Sequence, residues 1–317
     1  MNQLTQIANI LAASRQIDPV FLNSPTASDD ALNAALGCHV VAKIETANPI
    51  GSFKGRGTEL FCATALRAGE SMVCASAGNF GQGLARAATK RGSPCHVFAA
   101  QTANPLKVEA MRRFGAIVHL VGHDFDQAKH AAREYANEHG MRFVEDGVEP
   151  AIAEGAGTIA IELASAQPFE TMLVPLGNGA LLAGVGTALR HIAPHVDIIA
   201  VVAAAAPAMK LSLEAGQAIE TESANTIADG IAVRVPIADS LAHLRACCDA
   251  VVAVSEADIF KAMQLVHRHL DLVLEPAGAV GIAAILAEPG RFADRRVATI
   301  LCGGNISVEL RHRLLAA

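Results

Sequence analysis

The sequence predicts an α/β protein with two domains, each built on a mostly parallel sheet flanked by helices. Short apolar runs of strand length alternate with longer helix-like runs from residue 38 to residue 269, which is typical of parallel βαβ units. The 317 residues are 52% hydrophobic but only 4% aromatic, with no Trp, as expected for aliphatic strands buried on both faces. A chain of this length exceeds one small core and suits two domains.

In the first half of the chain, a few residues mark the ends of the predicted elements. Pro49 and Gly51 end the first strand, while Gly55 and Gly57 flank the start of the next helix. Pro105 and Asp124 begin two later helices. The predicted helices are 7–14, 31–36, 58–67, 81–91, 105–114 and 124–139, and the predicted strands are 38–44, 72–75, 95–100 and 116–121.

The second half begins at a polar, turn-rich crossover, residues 145–150, where we place the return to the larger domain. We expect residues 47–145 to form a small domain inserted into a larger one made of residues 1–46 and 146–317. The predicted helices here are 151–164, a helix that follows a Gly-rich loop and ends at residue 191, and a Ser255-capped helix that ends at residue 269. The predicted strands are 171–175, 196–202, 251–254 and 297–301, and residues 223–236 are mostly loop.

Composition and charge exclude several classes of function. A net charge of −6 with scattered Lys and Arg argues against nucleic acid as a partner. Seven Cys without CxxC spacing indicate free thiols in a cytoplasmic protein. The N-terminus lacks the features of a secretory signal, and the longest apolar run, 198–209, is too short to cross a bilayer. No His or Cys spacing predicts a metal site.

Lys54 lies at a turn between the strand 38–44 and the helix 58–67, in the segment Ser52-Phe-Lys-Gly-Arg-Gly57. Backbone N–H groups at a helix start bind anions, and the helix dipole disfavours a cation there. An amine that is also shielded from water can react in its neutral form as a nucleophile toward a carbonyl group. A surface lysine in a Gly-rich turn is the structural alternative.

Two other segments place Gly-rich turns between a strand and a helix. In Ser76-Ala-Gly-Asn-Phe-Gly-Gln-Gly83, the Ser and Asn side chains and the helix-start N–H groups suit a carboxylate. Gly177-Asn-Gly-Ala-Leu181 exposes several N–H groups that suit a phosphate. Glu275 precedes a Pro and a helix, and Cys302 ends the last strand. Each of these segments has a purely structural alternative, as a turn, a helix-start acid or a buried thiol.

Taken together, these segments resemble the fold-type II pyridoxal-phosphate enzymes, the family of tryptophan synthase β, threonine and serine dehydratases, serine racemase and cysteine synthase. The resemblance covers nearly the whole chain and implies pyridoxal 5'-phosphate as the cofactor, bound between the two domains. It implies that Lys54 is catalytic and carries the cofactor. The cofactor-binding residues that it implies are Phe53, Lys54, Asn79, Gly177, Asn178, Gly179, Ala180, Leu181, Glu275 and Cys302. The substrate-binding residues that it implies are Ser76, Ala77, Gly78, Asn79 and Phe80.

Within this family, the segment Thr226-Ile-Ala-Asp-Gly-Ile-Ala-Val233 closely resembles threonine dehydratases. Cys302 stands where bacterial threonine dehydratases usually carry Ser, and mammalian serine dehydratases resemble this chain in using Cys. Phe80 replaces a common His, which leaves the side-chain specificity open. Val202 stands where metal-dependent relatives carry Glu, so we expect no metal.

The resemblance favours an ammonia-lyase that converts a 3-hydroxy amino acid, such as L-threonine or L-serine, to a 2-oxo acid and ammonia by α,β-elimination. The expected partner is a small amino acid, and the expected assembly is a homodimer or higher homo-oligomer. Bulkier or acidic substrates, 3-phenylserine or 3-hydroxyaspartate, remain open, as does a β-replacement synthase. A non-catalytic binding protein is the alternative outside the enzymes.

Overall fold

The computed structural model describes residues 5–316, in which strands and helices alternate. The strands are β1 (Thr26–Ala27), β2 (His39–Ile44), β3 (Met72–Ala75), β4 (Cys95–Ala99), β5 (Ile117–Leu120), β6 (Arg142–Phe143), β7 (Thr171–Pro175), β8 (Asp197–Ala203), β9 (Ala250–Val254) and β10 (Arg296–Leu301). The helices are α1 (Ile7–Ala13), α2 (Asp30–Leu36), α3 (Lys54–Thr64), α4 (Asn79–Thr89), α5 (Pro105–Arg113), α6 (Phe125–Glu138), α7 (Pro150–Ala166), α8 (Ala180–Ile192), α9 (Ala208–Ala215), α10 (Leu241–Cys247), α11 (Glu256–Leu270), α12 (Pro276–Ala287), α13 (Pro289–Phe292) and α14 (Val308–Leu315).

The strands form two sheets. The larger sheet has six strands in the order β1-β2-β10-β7-β8-β9, and the smaller has four in the order β5-β4-β3-β6. All neighbouring strands are parallel except β1 and β2. Their aliphatic strands are mostly buried, since helices flank parallel sheets on both faces. The predicted α/β class with mostly parallel sheets is confirmed.

The structure corrects two helix starts. Helix α3 begins at Lys54 and α4 begins at Asn79, whereas the sequence placed these starts at residues 58 and 81. Gly55 and Gly57 therefore lie in the first turn of α3. A β-carbon at Gly55 would lie 2.1 Å from the Phe21 ring, and one at Gly57 would lie 2.3 Å from a backbone oxygen. These glycines reflect tertiary packing and not a helix boundary.

Glycine also permits the close approach of α7 and α8 in the core. A β-carbon at Gly184 would lie 2.0 Å from the carbonyl oxygen of Ala153 and 2.6 Å from the amide nitrogen of Gly157. A β-carbon at Gly155 would in turn lie 2.6 Å from the carbonyl oxygen of Arg56 on α3. Helix α7 is therefore packed tightly between α3 and α8, and this holds α3, the helix that carries Lys54, close to α7.

Within residues 5–316, no helix is both long and apolar enough to cross a membrane. The same part of the chain contains no cluster of three or more His, Cys, Asp or Glu side chains placed to hold a metal ion. All seven cysteines are unpaired, and six of them are buried.

Candidate active site

Lys54 is the first residue of α3, and its side chain is only 15% exposed. The preceding residue, Phe53, donates its backbone N–H to the carbonyl oxygen of Cys302 at 3.0 Å. The Lys54 amine lies 4.7 Å from the centroid of the Phe53 ring and forms an ion pair with Asp146. The amine is therefore held in a largely buried place beside the C-terminal end of β10.

A buried ion cluster fixes the start of α3. Arg56 is fully buried and is bidentate to two carboxylates, at 2.8 and 2.9 Å from Glu45 and at 2.6 and 2.8 Å from Glu162. Lys43 also contacts Glu162, at 2.7 Å. Because removal of one partner would leave an uncompensated buried charge, the cluster holds α3 against β2 and α7. The position of Lys54, two residues before Arg56, is thereby defined.

Asn79 connects three segments of the site. Its amide nitrogen donates to Glu275 Oε1 at 2.7 Å, and its oxygen accepts from the side chain of Asn305, also at 2.7 Å. The Asn305 amide also donates to the carbonyl oxygen of Ile50, at 2.8 Å. A β-carbon at Gly303 would lie 2.0 Å from Glu275 Oε1, so only glycine fits there. These bonds join the start of α4 to the loop after β10 and to the segment before Lys54.

Glu275, which precedes α12, is a buried acid with an incomplete set of partners. Its Oε2 atom has no hydrogen-bond partner among the described residues. Burial raises the pKa of Glu275 from 4.5 to about 7, and the negative charge of Asp229 adds to this rise, while Lys107, Asn79 and Lys54 oppose it. The carboxyl group is therefore partly protonated at neutral pH.

The segment 76–80 forms the turn between β3 and α4. Ser76 is buried, and its hydroxyl oxygen accepts from the N–H groups of Gly78 and Gly81 at 3.2 and 3.0 Å. Ala77 is half-buried, and Phe80 is buried in the first turn of α4. The side chain of Ser76 is thus committed to the shape of the turn. The helix-start N–H groups of this segment remain the donors that suit an anion.

The segment 177–181 forms the turn between β7 and α8. Gly179 caps α8 with a φ of +101°, a conformation that favours glycine, and a β-carbon there would lie 2.5 Å from the Leu244 side chain. Ala180 and Leu181 are buried in the first turn of the 13-residue helix. Helix-start N–H groups and the helix dipole together suit a phosphate at this turn.

Cys302 follows β10 and is buried, with its thiol directed at the carbonyl oxygen of Ala277 at 3.5 Å. Burial raises the pKa of the Cys302 thiol, and the nearby carboxyl of Glu275 raises it further. The thiol is therefore a neutral group, and it offers a weak hydrogen bond without a charge.

Other residues complete the site but were not identified as site residues from the sequence. Asp146 pairs with Lys54 across 92 residues, and Asn305 holds Asn79 across 226 residues. Lys107 on α5 contacts Asp229 at 2.5 Å, which links the smaller sheet's helices to the segment 226–233. The position of Asp146, three residues after the end of β6, is a weak signal that this carboxylate belongs to a site. No local pattern predicts the Asn305 contact.

The residues present fit the cofactor that the sequence resemblance implies. The site offers a shielded amine at Lys54, helix-start N–H groups at the 177–181 turn and a neutral thiol at Cys302. The buried Glu275 Oε2 and Asp146 Oδ1 atoms lack hydrogen-bond partners among the described residues. Such buried polar atoms are rare in native proteins, and these two are available to bind polar groups of a ligand.

Comparison with known proteins agrees with this fit. A family model described as "Pyridoxal-phosphate dependent enzyme" matches residues 17–303. An L-threonine ammonia-lyase of Geobacter sulfurreducens is 38% identical over 277 residues, which cover 86% of this chain and 69% of that protein. A beta-hydroxyaspartate dehydratase of Paracoccus denitrificans is 31% identical over 305 residues, which cover 95% of this chain and 96% of that protein.

Comparison with solved structures agrees with the comparison of sequences. The solved structure of the processed form of threonine deaminase isoform 2 from Solanum lycopersicum has a TM-score of 0.91 to this structure. It is 29% identical, and the match covers 98% of this chain and 86% of that chain. The predicted family, fold class and cofactor are confirmed, and the chain belongs to the fold-type II family of pyridoxal-phosphate-dependent enzymes.

Proposed function

We propose that the protein is an ammonia-lyase that converts a 3-hydroxy amino acid to a 2-oxo acid and ammonia by α,β-elimination. The observation that carries the proposal is the shielded amine of Lys54. Its neighbour Phe53 donates its backbone N–H to the carbonyl oxygen of Cys302, the residue with the buried neutral thiol. The names of the relatives support the same reaction class, since an ammonia-lyase and a dehydratase both release a group from the β-carbon.

Each predicted site residue has a role in this proposal. Lys54 would hold the cofactor, and the Phe53 ring lies 4.7 Å from its amine. The turn formed by Gly177, Asn178, Gly179, Ala180 and Leu181 would bind the phosphate group. Asn79, Glu275 and Cys302 would bind the cofactor ring, with Cys302 facing the ring nitrogen. The turn formed by Ser76, Ala77, Gly78, Asn79 and Phe80 would bind the substrate carboxylate.

The cofactor supplies an electron sink for the bond that breaks at the α-carbon. With cofactor and substrate bound, the Lys54 amine would be the base that takes the α-proton, since an amine shielded from water can act as a general base. The neutral thiol of Cys302 would provide no negative charge to hold a proton on the ring nitrogen. The ring would then withdraw less of the negative charge from the substrate, which would favour departure of the β-substituent.

The candidate substrates differ in their side chains. L-Threonine and L-serine are the first choice, because the segment 226–233 resembles threonine dehydratases and a relative is named L-threonine ammonia-lyase. 3-Hydroxyaspartate is the second choice, because a relative that aligns over 96% of its own length is named beta-hydroxyaspartate dehydratase. Lys107 on α5 is a buried cation near Glu275, but its charge is already paired with Asp229, so it does not favour an acidic side chain over a neutral one.

We also propose a homodimer or higher homo-oligomer in the cytoplasm, with the domain boundaries predicted above. The seven unpaired cysteines support a reducing compartment. The four strands of the smaller sheet all fall within residues 47–145, which supports an inserted domain. Size-exclusion chromatography with light scattering tests the assembly, and a monomer at micromolar concentration would contradict it.

The test of function is a substrate panel. Purified protein loaded with pyridoxal phosphate is given L-threonine, L-serine, 3-phenylserine or 3-hydroxyaspartate, and 2-oxo acid and ammonia are measured together. We expect equal amounts of both products from at least one of these substrates. Formation of cysteine from O-acetylserine and sulfide, without 2-oxo acid from any hydroxy amino acid, would indicate a β-replacement synthase instead. No product in either assay would indicate a binding protein.

A further inference from the structure

Asp146 is a largely buried carboxylate that contacts the amine of Lys54. Asp146 lies three residues after β6, and its side chain is 17% exposed. The Oδ2 atom forms the ion pair with the Lys54 amine, while the buried Oδ1 atom has no hydrogen-bond partner among residues 5–316. An unpaired buried carboxylate oxygen is destabilising and rare in native proteins, so its presence beside a catalytic amine indicates a function.

The backbone next to Asp146 is fixed against the phosphate-binding turn. Gly147 has a φ of +89°, a conformation that favours glycine. A β-carbon at Gly147 would lie 2.6 Å from the carbonyl oxygen of Asn178. Asp146 is therefore held between the Lys54 amine and the 177–181 turn, and it does not lie on a freely moving loop.

The acids near Asp146 in the sequence have different ion-pair partners. Glu145 pairs with Lys129 and Arg133, and Glu149 pairs with Arg142. These partners lie outside the site, so both acids have a structural role. The ion-pair partner of Asp146 is Lys54, which the proposed function uses as a base.

We propose that Asp146 is a further catalytic residue, which takes the α-proton from Lys54 and delivers it to the departing β-hydroxyl group. This inference rests on the proposed function. A base that takes a proton from the α-carbon lies within contact of that carbon, and the β-oxygen is two bonds further away. A carboxyl group that already contacts the same amine is therefore within reach of the β-hydroxyl.

The step balances within these two residues and the substrate. The Cα–H bond breaks, its proton goes to the Lys54 amine, and its electrons form the double bond between Cα and Cβ. The proton then passes from the Lys54 ammonium to the Asp146 carboxylate across their contact. As the Cβ–O bond breaks, Asp146 gives this proton to the leaving oxygen, which departs as water. Lys54 and Asp146 both return to their starting states.

Substrates with different leaving groups distinguish a proton-donating role of Asp146 from a structural role. Hydroxide is a poor leaving group and needs a proton, whereas chloride leaves β-chloro-L-alanine without one. The experiment compares Asp146→Asn with the wild type on L-serine and on β-chloro-L-alanine, by release of pyruvate. Cofactor affinity is measured separately, by titration of the apoprotein with pyridoxal phosphate and its visible absorbance. Glu145→Gln, which removes the adjacent carboxylate, is the matched control.

We expect Asp146→Asn to lower kcat on L-serine by about 100-fold or more, which is the usual contribution of a general acid. On β-chloro-L-alanine the same variant should stay within about 3-fold of the wild type, because the α-proton step is intact. The cofactor affinity should also stay within about 3-fold, and Asp146→Glu should recover part of the L-serine activity because it restores an acid. Glu145→Gln should match the wild type on both substrates.

Three results would overturn the role of Asp146 and leave the proposed function intact. The first is equal loss of activity on both substrates, and the second is no loss on L-serine. The third is loss of cofactor binding in Asp146→Asn, which would make the residue structural. By contrast, a wild-type protein that binds the cofactor but releases no 2-oxo acid from any hydroxy amino acid would refute the proposed function itself.

Discussion

The buried carboxyl group of Glu275 should make the stability of the cofactor-free protein depend on pH. Its pKa rises from 4.5 to about 7 on folding, chiefly through burial. The folded state therefore binds the proton more tightly than the unfolded state. The resulting stabilisation is fully present below pH 4.5 and is lost as the pH rises through 7. At about 1.4 kcal/mol per pKa unit, this difference corresponds to about 3 kcal/mol.

Glu275→Gln removes the titration and keeps an oxygen that accepts the hydrogen bond from Asn79. The free energy of unfolding is measured by urea denaturation of both apoproteins between pH 5 and pH 8. Far-UV circular dichroism is the suitable signal because the chain has no Trp. We expect the stability of the wild type relative to the variant to fall by about 2.5 kcal/mol across this range.

A matched control is Glu109→Gln, which removes an exposed carboxyl group on α5. It should leave the pH dependence of stability the same as in the wild type. A difference between the wild type and Glu275→Gln that stays constant from pH 5 to pH 8 would refute the reasoning. It would mean that the carboxyl group of Glu275 is ionised in the folded protein despite its burial.

Three further predictions concern the site and the core. Cys302→Ser should keep most of the elimination rate because it also offers a neutral hydrogen-bonding group, whereas Cys302→Asp should slow the release of 2-oxo acid because it adds a charge at the ring nitrogen. Gly184→Ala should lower the free energy of unfolding by about 2 kcal/mol or more, since the new methyl group would lie 2.0 Å from the carbonyl oxygen of Ala153. Racemisation of L-serine, measured by chiral chromatography, should be much slower than elimination. Racemisation needs an acid on the face of the α-carbon opposite Lys54, and Ala77, in the turn proposed to bind the substrate, has no side-chain proton to deliver.

Each of these predictions has a control or a contradicting result. An elimination rate in Cys302→Asp equal to that of the wild type would show that the thiol is only packing. Gly290→Ala is the control for Gly184→Ala, because a β-carbon there would meet no atom within 4 Å. Equal destabilisation by both changes would contradict the packing argument. D-serine formed as fast as pyruvate would contradict the assignment of Ala77.

The regular elements were predictable because their signals are local. The aliphatic runs at 72–75 and 297–301 became β3 and part of β10, as their length and apolar composition indicate. The sequence predicts the starts of α3 and α4 too late, because glycines typical of a helix boundary lie inside the first turns of these helices. In the structure, a β-carbon at Gly55 would collide with the Phe21 ring, and one at Gly57 would collide with a backbone oxygen of Ile152. Both contacts are distant in sequence.

Only the site residues that belong to a local sequence motif could be predicted. The segments around Lys54, Asn79 and 177–181 were found because their glycines and helix starts form a recognisable pattern. The contacts of Asp146 with Lys54 and of Asn305 with Asn79 depend on how the chain folds back over long distances. Asp146 has only the weak signal of its place after a strand end, and Asn305 has no local signal, so their contacts are visible only in the structure.

The most direct test of the account is to map the residue that binds the cofactor. The protein is loaded with pyridoxal phosphate, reduced with borohydride so that the bond to lysine becomes permanent, digested and examined by mass spectrometry. We expect the added mass on the peptide that contains Lys54, and we expect Lys54→Ala to lose both this label and the release of 2-oxo acid. A label on a different lysine, with Lys54→Ala still active, would contradict the central claim.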